Sequence, residues 1–172
     1  MLKLAGVVLL MSGCVGMGIS KVREEKRRTW ELRQIKRIIT RIQNEMIYGK
    51  RTLPEICFLL SGCMEQPYQE IFYNIYQKLG ENRGVVLEKL WKEQMENGLK
   101  ELPLKKEEKD ILYTLPEHLG IQDETMQAAD IGQSLDMVTE RVRRAEAEYE
   151  SKAKVIMSLS VTAGLFISIL LL

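Results

Sequence analysis

A chain of 172 residues with a formal net charge of only +1 has room for one small domain and lacks the basic excess an electrostatic nucleic-acid binder needs. One histidine, His118, and three cysteines, Cys14, Cys57 and Cys63, none at metal-ligand or CxxC spacing, exclude most metal and triad chemistry and read as free thiols. Four prolines and few alternating β-branched runs make the fold class all-α.

Residues 1–20 read MLKLAGVVLLMSGCVGMGIS, with Lys3 as the single charge. Residues 4–20 are just long enough for a short membrane span. A cleaved secretory signal is one alternative. A lipoprotein signal is another, because Met11-Ser12-Gly13 precedes Cys14 much as small residues precede a lipidated cysteine. The apolar run does not stop at Cys14, however. It is followed by KVREEKRR, in which five cations (Lys21, Arg23, Lys26, Arg27 and Arg28) face two anions. Such a segment is held back from translocation. Residues 1–20 are therefore expected to span the membrane, with the following chain in the cytoplasm; a Cys14-lipidated extracytoplasmic protein is the rival reading.

The first cytoplasmic helix is expected over about 21–48. Ile35, Ile38, Ile39, Ile42 and Met46 repeat at helical spacing on one stripe, and Arg23, Lys26, Arg33, Arg37 and Arg41 fall nearly opposite. The basic stripe is a solvated face, a contact with anionic headgroups near the membrane end, or a docking face for an acidic partner. Gly49 stands where a glycine would end the helix.

Thr52, Pro54 and Glu55 spell a capping box with proline in the first turn of a second helix, which carries Ile56, Cys57, Leu59 and Leu60 and stops near Gly62. Both Cys57 and Cys63 read as small packing groups. Pro67 opens a third helix that buries Ile71, Phe72, Ile75, Tyr76 and Leu79. Val86, Leu87, Leu90, Trp91 and Met95 mark a fourth, ended near Gly98. Beyond the break at Leu102-Pro103-Leu104, a fifth carries Ile111, Leu112, Leu115 and Leu119 up to Gly120, and Pro116 bends or splits it.

The sixth helix, from about 123 to 154, is the longest. Ile131, Leu135, Val138, Val142, Ala145 and Tyr149 step by four and three, a heptad seam. The seam could dimerise, which leaves a homo-oligomer open. The better reading is that it pairs antiparallel with the first helix at the base of a compact bundle, since both helices rise from the membrane. Residues 155–172, VIMSLSVTAGLFISILLL, carry no charge and follow Lys152 and Lys154. They read as a second span, cytoplasmic on its N-terminal side. Ser160, Gly164 and Ser168 recur every four residues, as Ser12 and Gly16 do in the first span, and small residues at that spacing let helices approach closely in lipid. The expected organisation is thus a six-helix cytoplasmic bundle over 21–154 flanked by transmembrane helices over 1–20 and 155–172.

No phosphate-binding glycine loop, HExxH or GxSxG is present, and the carboxylates alternate with lysines as on a solvated helix face, for example in 105–110, KKEEKD. No catalytic residue, metal ligand or cofactor is assigned. An adaptor or platform fits better than an enzyme, and a small membrane-bound regulator is a further alternative.

The opening Met1-Leu2-Lys3-Leu4-Ala5-Gly6, the helix end Glu45-Met46-Ile47-Tyr48-Gly49 with Leu53-Pro54 after it, Leu102-Pro103-Leu104-Lys105-Lys106 and Leu119-Gly120-Ile121-Gln122-Asp123 occur in an order and over a length that resemble the stage III sporulation protein AB family. Pro103 and Cys14 depart from its usual pattern. The family also looks like the six-helix cytoplasmic domain of type II secretion and type IV pilus platform proteins. The resemblance implies a component of the channel complex between mother cell and forespore, in the mother-cell membrane around the forespore. It also implies partners: a secretion-type ATPase, the stage III sporulation protein AA, and the other membrane components of the complex. No catalytic residues carry over. Glu45, Tyr48, Gly49, Pro54, Gly120 and Asp123 match family positions and read as helix ends and turns. Arg33, Arg37 and Arg41 are the candidate docking stripe for the ATPase.

Overall fold

The structure, a computed structural model, describes residues 2–81, 86–119 and 124–171, without the side chains of 2–11, 14, 15, 118, 124, 125, 164, 165, 167, 168, 170 and 171. The described residues form helices and no strand: α1 (Leu2–Ile47), α2 (Leu53–Cys63), α3 (Tyr68–Glu81), α4 (Leu87–Gly98), α5 (Lys106–Tyr113), α6 (Leu115–Leu119) and α7 (Glu124–Leu171). They fall into two compact units, one of residues 31–141 and one of residues 1–30 with 142–172. Each unit takes part of α1 and part of α7.

In the 31–141 unit the isoleucine stripe of α1 is the core. Ile35, Ile38, Ile39 and Ile42 are fully buried, joined by Ile56, Cys57 and Leu60 of α2, Phe72 and Ile75 of α3, Trp91 and Met95 of α4, Leu112 of α5 and Ile131 and Val138 of α7. α2 packs on α3, α3 on α4, and α4 on α5 and α6. The α3–α4 crossing is close because Gly98 has no side chain; a Cβ there would run into Ile71. Phe72 and Trp91 meet edge to face with ring centroids 5.8 Å apart, a favoured aromatic geometry.

Local signals explain where these helices begin and end. The amide and hydroxyl of Thr52 both donate to the Glu55 carboxylate, at 2.8 and 2.9 Å, and the amide of Lys105 donates to buried Glu108 at 2.8 Å. Pro116 divides the expected fifth helix into α5 and α6 at Thr114. A proline has no N–H for the carbonyl four residues earlier, here that of Leu112. The indole N–H of Trp91 takes the vacant place, donating to the Leu112 carbonyl at 2.8 Å. The polar group freed by the helix break is thereby satisfied inside the core.

Gly49 differs from its expected role. The left-handed residue at the end of α1 is Lys50, with φ 46°, and Gly49 is needed for space instead. A Cβ on Gly49 would lie 2.8 Å from both the carbonyl and the carboxylate of Glu45.

In the other unit the α1 and α7 segments run antiparallel. Gly18 lies against Ile156 and Ser160, and further along Glu25 meets Lys152 while Arg28 meets Glu148. The facing stripe of α7 continues the heptad seam through Ala145, Tyr149, Ala153, Ile156 and Ser160, all buried or half-buried. The antiparallel pairing expected of the seam is present, although Leu135 is half-buried rather than core. Near the start of α1 a small residue lies against α7, Gly18. Gly16 instead faces open space, because it lies two residues, about 200°, round the helix.

Among the described residues, no helix is long and apolar enough to cross a membrane. The flanking spans expected over 1–20 and 155–172 are therefore not supported; the side chains of 2–11, 14, 15, 164, 165, 167, 168, 170 and 171 lie outside the description.

Candidate functional site

On the exposed side of α1, opposite the isoleucine core, Arg33, Lys36, Arg37, Thr40, Arg41 and Asn44 line a shallow groove. Helical spacing of three and four aligns these residues while Ile35, Ile38, Ile39 and Ile42 turn inward. Thr40 donates its hydroxyl to the Lys36 carbonyl at 2.8 Å and so is tied to its own helix. Arg41 pairs with Glu45 at 3.3 Å, and the other carboxylate oxygen of Glu45 receives Arg51 at 3.1 Å. Lys36 and Arg37 form no ion pair among the described residues. The stripe therefore brings Arg33, Arg37 and Arg41 together, adds Lys36, and leaves the charges of Lys36 and Arg37 open to solvent in the groove, without an ion pair among the described residues.

The remaining candidate positions have structural surroundings. Glu45 is the hub of the two-arginine clamp at the end of α1. Tyr48, 81% exposed, contributes no core packing. Pro54 sits in the first turn of α2, half-buried. Gly120 and Asp123 lie outside the described residues. Ser160 donates to the Ile156 carbonyl at 2.7 Å, on the face that meets Gly18; the side chain of Ser168 and the surroundings of Gly164 lie outside the description.

Three features went unread in the sequence. Glu31, 2% exposed, accepts a hydrogen bond from the Tyr68 hydroxyl at 2.9 Å, a buried polar pair between α1 and α3. Tyr76 is not on the buried side of α3: it is exposed and stacks at a tilt on exposed Phe58 of α2, centroids 5.0 Å apart. Cys63 is exposed, whereas Cys57 is buried, and burial pushes the Cys57 thiol up to about 12. At neutral pH that thiol holds its proton and is a poor nucleophile. No group of three or more His, Cys, Asp or Glu side chains among the described residues could hold a metal ion.

The family model described as stage III sporulation protein AB matches residues 3–172. The chain belongs to the stage III sporulation protein AB family. It is 26% identical to the stage III sporulation protein AB of Bacillus subtilis (strain 168) over 172 residues, the whole of both chains. It also superimposes on a solved structure of stage III sporulation protein AB (SpoIIIAB) with a TM-score of 0.65 at 23% identity, covering 72% of this chain and 96% of that one. That last likeness shows a shared fold. The stage III sporulation protein AB family is named for sporulation and not for an enzymatic activity.

Proposed function

We propose that this member of the family is a non-enzymatic membrane platform of the channel complex between mother cell and forespore, anchored at both ends. Its helical unit of residues 31–141 docks a secretion-type ATPase of the stage III sporulation protein AA kind and couples it to the membrane components. Family membership over residues 3–172 supports the sporulation context. Two surfaces support the rest. Near the C-terminal end of α7, Phe166 and Ile169 are 70% and 75% exposed, with Val155, Met157, Leu159 and Val161 exposed before them, an apolar surface that a bilayer would cover. The observation that carries the docking role is the α1 groove, where Lys36 and Arg37 keep unpaired charge.

The test is binding of the purified full chain, in detergent, to the purified ATPase across a salt series. Arg37→Glu with Arg41→Glu is expected to weaken binding by about tenfold or more at low salt and to flatten the salt dependence, with the helical spectrum unchanged. Equal affinity of the double variant and the native chain at low salt would remove the groove from the docking surface.

A further inference from the structure

We propose that the exposed sides of α1 and α7 in the unit of residues 1–30 with 142–172 form a collar that binds anionic phospholipid headgroups. The inference rests on the membrane reading above and adds the lipid class.

On α1, Gly18 and Glu25 face α7, and Val22 between them is half-buried on the same stripe. The outer stripe carries Ile19, Arg23 and Lys26, all exposed and spaced by four and three. On α7, exposed Lys154 immediately precedes Val155, and Met157, Leu159 and Val161 follow, likewise exposed. The antiparallel register sets Gly18 against Ile156 and Glu25 against Lys152. Arg23 and Lys154 therefore stand at one level, where the exposed side chains of both helices change from apolar to cationic.

The charges at this level are not equivalent. Lys152 bonds Glu25 at 3.1 Å and Glu148 at 3.3 Å, and Arg28 bonds the same two carboxylates at 3.3 and 3.8 Å. Lys21 is held by Glu24 at 3.1 Å. Arg23, Lys26 and Lys154 form no ion pair among the described residues. Exposed Glu150 lies one helical turn from Lys154, on the side away from the apolar band. The spare charge next to the apolar band is thus positive.

An acidic protein would answer these cations and leave the apolar side chains in water. An uncharged bilayer would cover the apolar side chains and leave the cations without a counter-charge. A bilayer bearing anionic headgroups satisfies both at once, with long cationic side chains reaching the headgroup level from stems laid along the apolar band.

The full chain is synthesised cell-free in the presence of vesicles of phosphatidylcholine alone, or of phosphatidylcholine with phosphatidylglycerol, and co-flotation is measured at low salt. Each cation near an anionic surface adds roughly fivefold to partitioning. The native chain is therefore expected to favour the phosphatidylglycerol vesicles by at least about tenfold. The combined variant Arg23→Gln, Lys26→Gln, Lys154→Gln is expected to lose that preference while floating on phosphatidylcholine as before. Removing three exposed cations elsewhere, Lys89→Gln, Lys100→Gln and Lys106→Gln, is expected to leave the preference intact. Equal flotation of the native chain on both vesicles would overturn the collar and leave the membrane reading standing, and a preference that survives in the collar variant would overturn the assignment of these residues. No flotation on either vesicle would overturn the membrane reading and the collar together.

Discussion

The indole N–H of Trp91 donates to the carbonyl of Leu112 at 2.8 Å, the carbonyl that Pro116 cannot serve. A break in one helix and an aromatic anchor from another are thereby one device. Trp91 fills the core beside Phe72 and at the same time answers the only backbone bond that the proline removes.

Trp91→Phe should leave the Leu112 carbonyl buried without its donor and lose part of the packed ring. The expected destabilisation is about 2–4 kcal/mol, combining an unsatisfied polar group with a small cavity. Pro116→Ala restores an amide that can reach the same carbonyl. It should therefore cost less in the Trp91→Phe background than alone, and chemical denaturation of the four proteins in a double-mutant cycle measures the coupling. Strict additivity would separate the indole from the proline.

The alternating cluster of Glu25, Arg28, Glu148 and Lys152 makes a pH prediction. Burial raises the Glu25 carboxyl, but the bonds and charges of Lys152 and Arg28 outweigh it and hold the group below its ordinary range. The hydrogen bond to Glu25, with that to Glu148, holds Lys152 above its ordinary range. A lowered carboxyl contributes stability above its unfolded value, about 4.5, and loses it as pH falls through the folded one; a raised lysine contributes below its unfolded value and loses it as pH rises through the folded one. Coupling between Glu25→Gln and Lys152→Gln should therefore be present at neutral pH and vanish in acid. Its size should be modest, about 0.5 kcal/mol, because these side chains are partly exposed. Thermal unfolding at pH 7 and in acid reads the difference.

Cys57 and Cys63 should separate cleanly in a thiol assay. Cys63 is exposed and should react at once with a maleimide, while buried Cys57 should react only on unfolding. The Cys57 thiol, pushed from 9.0 up to about 12, stabilises the fold fully below about pH 9, and that contribution is lost as pH rises from there toward 12. The buried Tyr68 hydroxyl, raised by burial and by Glu31, acts in the same direction. Cys57→Ala should remove one proton from this linkage, about 1.4 kcal/mol per pH unit over that interval. Stability measured from pH 8 to 11 should therefore fall less steeply in the variant.

Much of this was legible because periodicity carries it. Ile35, Ile38, Ile39 and Ile42 mark a core stripe by spacing alone, and the split at Pro116 follows from a missing amide. The α7 seam likewise foretold an antiparallel partner. What was not legible depends on partners distant in sequence. Glu31 reads as one more surface acid until Tyr68, 37 residues later, places a hydroxyl on it. Tyr76 lies four residues after Phe72 and so appears to share its face. The apolar stripe is narrower than that, and the ring emerges beside Phe58. Cys57 and Cys63 are six residues apart, about 240° round a helix, so one thiol enters the core while the other leaves it. Gly49 looked like a left-handed cap, but only the backbone shows that Lys50 takes that conformation.

Whether the chain is held in the membrane with its helical unit on the cytoplasmic side, as proposed, is read most directly from the sidedness of Cys63 in sealed membrane vesicles from sporulating cells. Exposed Cys63 is the reporter, read residue by residue by mass spectrometry so that Cys14 and Cys57 do not confuse it. The chain should be found in the membrane fraction, with an impermeant thiol reagent modifying Cys63 in inside-out vesicles and sparing it in right-side-out ones. Modification of Cys63 in right-side-out vesicles, or absence of the chain from the membrane fraction, would contradict the proposal.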